Sequence, residues 1–462
     1  MIRIFRVFVP SSVLALILSE LIFLLLIFVV ASMFVIDVDP EFFLIEEDGL
    51  LRICLVVASI SIGLYFQDLY TNIRIRSRIL LVQQFSMAVG IAFIAQALLT
   101  YVDPMLMLPR WIMFYASAMV LVFLPSWRIL FSRLVLRAFG LTPTLFLGTS
   151  SVLAEIGARL LARPEMGFRV IGYLADEAKN AMPRGIPLLG DAVDLKPTIE
   201  KYRPQRIVVG MAERRGRLPV RELLDLRLSG VYIEEEASVY EICFGRVSTR
   251  DLRPSQLVFS SEFGPSRMSV ALQALYSWLL ALIGSILLAP IMILVAILVK
   301  LTSPGPVFHR QTRVGLGGVN FTVLKFRSMY ADAEARTGAV WAQKNDPRIT
   351  SIGKYLRLFR LDEIPQFLNV LRGEMSFVGP RPERPEFVKA LSEQIPYYRQ
   401  RHYVRPGITG WAQINHKYGD TIEDTITKLE YDLYYMKYLS PSLDAYIILN
   451  TLKTVILGRG AQ

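Results

Sequence analysis

The chain has 462 residues, a length that implies more than one domain, and 53% of them are hydrophobic. With a mean hydropathy of +0.42 it is too apolar for an ordinary soluble enzyme. In so apolar a chain, a net charge of +11 and a pI of 9.5 point to anionic lipid head groups or phosphorylated substrates. No finger spacing or RNP-like motif supports a nucleic-acid partner.

Four long apolar runs open the chain, at about 11–36, 50–69, 79–101 and 111–136. Each is close to the ~20 residues that a membrane-spanning helix needs, which predicts a four-helix transmembrane bundle over residues 1–140. The first run is too long for a cleaved signal peptide. Buried core helices are the alternative reading. Arg3 and Arg6 precede the first run, Arg74, Arg76 and Arg78 separate the second from the third, and Arg133 and Arg137 follow the fourth. The loop after the first run is acidic (Asp37, Asp39, Glu41, Glu46, Glu47, Asp48). By the positive-inside tendency both ends of the bundle face the cytoplasm.

Residues 141–263 change character. "TPTLFLGTSS" reads as a strand entering a turn, "VLAEIGARLLA" as a helix, "RVIGYLAD" and "QRIVVGM" as strands, and "PVRELLDLRLSG" as a helix ending at Gly230. Alternating strands and helices predict a small, parallel, Rossmann-like α/β domain. The turn after the first strand is Gly148-Thr149-Ser150-Ser151, which lacks two glycines of a dinucleotide fingerprint, so a structural or regulatory role is expected. Cys54 and Cys243 imply no disulfide framework, and His309, His402 and His416 form no metal-spaced cluster.

A fifth apolar stretch, "WLLALIGSILLAPIMILVAILVK", begins at Trp278. Arg267 before it and Lys300 after it favour the same side of the membrane. Pro290 removes a backbone hydrogen bond and kinks the helix, leaving arms of about 14–17 Å each, half of a ~30 Å hydrocarbon core. The expectation is a re-entrant helix with its membrane break at Pro290; a kinked spanning helix is the alternative.

The charge gathers beyond that stretch, with 23 Lys and Arg against 15 Asp and Glu from Lys300 onward. "FTVLKFRSM" reads as a strand ending in Lys325 and Arg327. "RLDEIPQFLNV" sets Asp362 and Glu363 side by side among Arg357 and Arg360, and "VGPRP" adds Arg381 in a rigid loop. Read alone, the acids are a charged first turn ahead of Pro365. Together the residues suit phosphoryl transfer on a diphosphate, which needs cations around phosphate oxygens and little else. One carboxylate can attack phosphorus while its neighbour, pointing elsewhere, holds a hard cation such as Mg2+. The basic surroundings would keep the nucleophile ionised.

"SPGPVFHRQTRVG", "KFRSM", "LDEIPQFLNVLRGEMSFVGPRP" and "RPGITGWAQ", four ordered motifs within residues 264–462, resemble the bacterial sugar transferase family, the monotopic phosphoglycosyl transferases. The bundle and Rossmann-like segment resemble that family's large members, and "VYEICFGRVSTRDLRPSQLVFS" looks like its exopolysaccharide-type subgroup. The resemblance implies an α+β catalytic domain on the cytoplasmic face of the bacterial inner membrane. It implies transfer of a sugar-1-phosphate from a UDP-sugar to polyprenyl (undecaprenyl) phosphate, releasing UMP. It makes Asp362 the nucleophile and Glu363 the Mg2+ ligand, and assigns Lys325, Arg327 and Arg381 to phosphate or uridine. Asp432, in "KLEYDLYY", stands where the family has a further acid; a solvated acid on an interfacial helix is the alternative. Where the family often has Ser-Pro at the membrane break, this chain has Ala289-Pro290. No residue names the sugar, and a homodimer is left open. The competing class is a non-enzymatic membrane scaffold or nucleotide sensor, which loss of either acid would favour.

Overall fold

A computed structural model describes residues 2–36, 39–71, 77–138, 141–175, 182–191, 194–210, 218–250, 252, 264–330, 346–416 and 421–457. Arg74, Arg76, Asp37 and most of the stretch 251–263 lie outside the described residues. The chain divides into two compact units, Met1–Arg3 with Phe8–Glu234 and Ile4–Val7 with Glu235–Gln462.

The first unit carries the helices α1 (Ser11–Val35), α2 (Gly49–Phe66), α3 (Arg78–Val102) and α4 (Arg110–Ala138). Each tracks an apolar run, because hydrophobic length is a local property of the chain. All four contribute to one core that includes Leu24, Phe28, Ile53, Ile60, Phe85, Ala88, Ile112 and Val120. At Gly63 an added Cβ would lie 2.9 Å from the Ala88 Cα, so a glycine is what lets α2 and α3 cross this closely. Inside this helical group Arg128 lies 3.4 Å from Glu20, both almost fully buried, and donates to the Leu69 carbonyl. That ion pair was not expected. A buried charge is tolerated here because its partner comes from another helix.

The rest of the first unit is a five-stranded sheet of β1 (Thr142–Leu147), β2 (Phe168–Leu174), β3 (Leu188–Gly190), β4 (Arg206–Val209) and β5 (Tyr232–Glu235), in the order β3-β2-β1-β4-β5. The β3–β2, β2–β1 and β1–β4 pairs are parallel. Helices α5 (Ser151–Ala162), α6 (Leu195–Tyr202) and α7 (Val220–Leu228) alternate with the strands, and Leu195 and Leu223 share a core with Leu145, Leu147, Leu174, Ile207 and Val209. This is the expected small parallel α/β sheet; its strand order is doubly wound, with the connections reversing their direction of winding beside β1.

The second unit begins earlier than residue 264. Helix α8 (Glu236–Phe244) packs within it through two buried acids, Glu241 on the helix itself and Glu430 far along the chain. Tyr240 and the Thr249 N–H donate to Glu430 at 3.0 Å each, and Lys437 pairs with Glu241 at 2.9 Å. Next comes α9 (Arg267–Thr302), 36 residues that run as one helix through Pro290. It packs on both sides of the proline. Gln273 donates to Asp444 at 2.8 Å and the Phe377 N–H donates to Ser277 at 3.2 Å; beyond Pro290, Val295 and Val299 pack on Phe326 and Leu356. The opposite face is bare, with Ile283, Ile286, Leu287, Ile293 and Leu294 exposed.

An antiparallel hairpin, β6 (Phe308–Val314) and β7 (Asn320–Phe326), follows. Then come α10 (Ser351–Leu358), α11 (Gln366–Leu371), the parallel pair β8 (Ser376–Val378) and β9 (Gly407–Thr409), and the closing helices α12 (Ile422–Tyr438) and α13 (Pro441–Ile456). Five helices of the described chain, α1, α2, α3, the Pro104–Leu134 stretch containing most of α4, and α9, are long and apolar enough to cross a membrane.

Candidate active site

The acid pair stands where α10 turns into α11. Thr350 caps α10 by accepting from the Gly353 N–H at 3.0 Å. The chain then reverses at Arg360, whose φ of +54° is left-handed and costly for a residue with a side chain. A single 3-10 turn, Leu361–Glu363, follows, and Pro365 stands at the N-cap of α11, where its missing N–H costs nothing. Consecutive positions of so tight a turn send their side chains in different directions.

Those directions give the acids different surroundings. Glu363 Oε1 accepts from Lys325 Nζ at 2.7 Å and from Arg381 at 3.2 Å, and Arg360 lies 3.9 Å from Oε2. Burial would raise its carboxyl, but Lys325 first, then Arg381 and Arg360, outweigh it and hold the group well below the usual range. Asp362 is 8% exposed and, among the described residues, makes no hydrogen bond or ion pair. Burial, and then the neighbouring Glu363 charge, push its carboxyl up to about 6; Lys325, Arg357 and Arg381 pull the other way and lose. The basic neighbours expected to keep Asp362 ionised do pull its carboxyl down, but burial and the Glu363 charge outweigh them. Near neutral pH most of the group is still a carboxylate.

Lys325 is aimed by a residue the sequence reading missed. Asn369 on α11 accepts from the Leu324 N–H at 3.0 Å and donates to the Thr322 carbonyl at 2.7 Å, which locks β7 beside the acid turn. It is fully buried, and the signal was present: an amide inside the apolar run "FLNVL" needs partners. Arg381 sits on a loop made possible by three glycines. A Cβ on Gly379 would meet the Arg405 carbonyl at 2.3 Å, one on Gly407 the Gly379 nitrogen at 2.1 Å, and one on Gly410 the Gly379 carbonyl at 2.2 Å. "VGPRP" and "RPGITG" therefore touch backbone to backbone.

Two expected substrate contacts are placed differently. Arg327 is 4% exposed and donates to the Pro304 carbonyl at 2.8 Å and the Ser303 carbonyl at 2.7 Å, closing the C-terminal end of α9. Its guanidinium is spent on carbonyls that the helix leaves without partners. Asp432 is 2% exposed and bonded by Arg401 Nε at 2.9 Å; it is neither solvated nor open. Arg357 bears electrostatically on Asp362 from α10, and Pro290 lies within α9. Among the described residues no group of three or more His, Cys, Asp or Glu could hold a metal.

The sequence that builds this site has relatives. The sequence profile described as "Bacterial sugar transferase" matches residues 268–458. The chain is 44% identical over 224 residues, 48% of it, to the UDP-N-acetylgalactosamine-undecaprenyl-phosphate N-acetylgalactosaminephosphotransferase of Aeromonas hydrophila. It is 36% identical over 323 residues, 65% of it, to the UDP-glucose:undecaprenyl-phosphate glucose-1-phosphate transferase of Xanthomonas campestris pv. campestris. Over 189 residues, 40% of it, the chain is 41% identical to the Exopolysaccharide production protein PSS of Rhizobium leguminosarum bv. phaseoli and covers 94% of that protein. The chain belongs to the bacterial sugar transferase family.

The chain spans 52% of the Aeromonas relative and 64% of the Xanthomonas relative. In this bacterial sugar transferase the profile match starts at the second residue of α9 and runs through α13, so the acid turn, the cation set and both glycine-bearing loops fall inside it. Helix α8 and its partners Glu430 and Lys437 show that the compact unit extends some thirty residues ahead of the match.

Proposed function

We propose that this bacterial sugar transferase transfers a sugar-1-phosphate from a UDP-sugar to polyprenyl (undecaprenyl) phosphate, with Asp362 as nucleophile. The observation that carries the reading is the asymmetry of the acid pair: Glu363 Oε1 is taken by Lys325 and Arg381, while Asp362, one residue away, has no hydrogen-bond or ion-pair partner among the described residues. A carboxylate without hydrogen bonds, ionised near neutral pH, is a competent nucleophile.

In the first step an Asp362 oxygen bonds to the β-phosphorus of the UDP-sugar. The bond from that phosphorus to the bridging oxygen breaks, and UMP leaves with that oxygen and its electron pair. In the second step an oxygen of polyprenyl phosphate bonds to the same phosphorus, and the Asp362 carboxylate leaves. Lys325, Arg360 and Arg381 face the phosphate oxygens where charge gathers, and Arg357 sits beside the nucleophile. The acid pair fits Mg2+: Glu363 Oε1 is taken by Lys325 and Arg381, while among the described residues Oε2 has only Arg360, at 3.9 Å, and Mg2+ is held by one or two carboxylates plus substrate phosphate. Glu363 would hold the ion, which when bound would neutralise diphosphate charge.

The lipid substrate sets the remaining terms. Tyr355, Leu358 and Phe359, exposed immediately before the acid turn, and the bare apolar face of α9 suit a site at a bilayer surface. Packing of one protein unit against α9 both before and after Pro290 supports a helix that returns to the side it entered, since a spanning helix would set its two ends on opposite faces. Nucleotide sugars make that side the cytoplasmic face of the bacterial inner membrane. The names of the relatives support an undecaprenyl-phosphate acceptor, with UDP-glucose and UDP-N-acetylgalactosamine as first donors to try, and a role in starting exopolysaccharide or related glycan synthesis. The test is UMP release by the purified protein in detergent, given polyprenyl phosphate and a panel of UDP-sugars. Release with one donor, dependent on the lipid phosphate, supports the reading; no release with any of them refutes it.

A further inference from the structure

We infer that Arg313 and Arg401 are positioning residues for the transfer, that they act by holding the main chain which carries Arg381, and that Asp432 acts through Arg401, an inference resting on the reading above. The loop from Gly379 to Arg384 contains Pro380 and Pro382, which have no N–H, so it is held largely by donors from elsewhere. Four successive carbonyls are each taken by a different donor. The Pro380 carbonyl accepts from the Gly407 N–H at 3.0 Å, and that of Arg381 from Arg401 at 3.0 Å. The Pro382 carbonyl accepts from Arg313 at 3.0 Å, and that of Glu383 from the Val314 N–H at 2.9 Å.

The two arginines are themselves fixed. Arg401 is 6% exposed; its Nε donates to Asp432 at 2.9 Å and another nitrogen donates to the Tyr398 hydroxyl at 3.0 Å. Arg313 donates twice to Gln311 Oε1, at 2.6 and 3.0 Å. Strand β6, the Tyr398–Tyr403 turn and helix α12 thus converge on one short loop. From that loop the Arg381 side chain, 30% exposed, reaches Glu363. A relay runs from Asp432 through Arg401 and the Arg381 main chain to the acid pair. A 1 Å error in such a group can cost on the order of 100-fold in rate, so three otherwise remote residues bear on the chemistry. For Asp432 itself, burial and full pairing leave no surface on which to meet a substrate.

A double-mutant cycle tests this on the full chain. Arg313→Met and the near-isosteric Asp432→Asn are made alone and on top of Arg381→Ala. Turnover is followed with the radiolabelled UDP-sugar that the donor panel selects, and UMP affinity by calorimetry. Each single variant is expected to lower kcat/KM by about 10-fold or more, chiefly in kcat, with little change in melting temperature. In the Arg381→Ala background the same substitution should change either readout by less than about 2-fold, because its route is already gone. Arg313→Lys, which can still donate to the Pro382 carbonyl, should recover part of the loss. Equal losses in both backgrounds, or no loss from either single variant, overturn the inference. If Asp432→Asn fails to fold, the Arg313 arm decides alone. Absence of UMP release by the unmodified protein would refute the reaction, and the cycle would then stand or fall on UMP affinity.

Discussion

Lys325 Nζ meets Glu363 Oε1 at 2.7 Å, and that contact separates two neighbouring acids into different kinds of group. Glu363 becomes a neutralised anchor for the cation set. Asp362, one residue earlier, is left with a raised pKa and no bonded partner among the described residues.

Asp362→Asn should therefore abolish UMP release while the protein still inserts and folds. The amide has the same shape and cannot form the acyl-phosphate, and among the described residues Asp362 makes no hydrogen bond whose loss would loosen the fold. Turnover by the purified variant is the measurement; a variant keeping more than a few per cent of normal release contradicts the assignment.

The pH profile follows from the same carboxyl. Only the ionised form attacks, and burial places its midpoint at about 6, so kcat/KM should hold level above that value and fall as pH drops through it. Arg357 is one of the cations that lower this pKa, so Arg357→Met should move the acid limb to higher pH. A limb that stays in place, or moves down, would remove Arg357 from the site.

Metal dependence is a separate expectation. EDTA should stop the reaction and Mg2+ restore it, with Glu363→Gln weakening the response to Mg2+ because the open Oε2 is replaced or turned into an amide. Full activity in excess chelator would leave the protein's own cations as sufficient.

Pro290 can be tested by topology. In the unmodified protein, single cysteines introduced at positions 266 and 320 should both react only with reagent supplied from the cytoplasmic side. Pro290→Leu restores the missing backbone donor and removes the clash, so a fraction of molecules should straighten α9 and expose position 320 to the outside. Ala289 offers no hydroxyl to help the bend, so the effect of Pro290 should be large. Outside labelling of position 320 in the unmodified protein would refute the re-entrant helix.

Gly379→Ala probes the contact between the two motif loops. Its methyl would sit 2.3 Å from the Arg405 carbonyl, a clash with backbone that no side-chain rotation relieves. A destabilisation of about 1–3 kcal/mol is expected, with loss of turnover exceeding what the melting temperature predicts, because Arg381 moves with the loop. Unchanged turnover would show that the loops are free to part.

Much of this molecule is decided by properties local to the chain. Apolar runs of about twenty residues specify helices wherever they occur, so α1 to α4 lie within a few residues of the runs that announce them. The strands "TPTLFL" and "RIVV" and the helix "SVLAEIGARLLA" obey short-range periodicity in the same way. The turn holding Asp362 and Glu363 is also local, forced by Pro365 and a left-handed Arg360. Which of the two acids is neutralised is not local. Lys325 arrives from a strand almost forty residues earlier, and Asn369 sets its register. Arg327 and Asp432 look like substrate contacts in a linear reading because charge and motif are visible there. Tertiary structure spends one on the carbonyls closing α9 and the other on Arg401. Glu20 meets Arg128, and α8 meets Glu430, for the same reason: a buried charge takes whichever partner the packing brings, and sequence distance does not enter that energy.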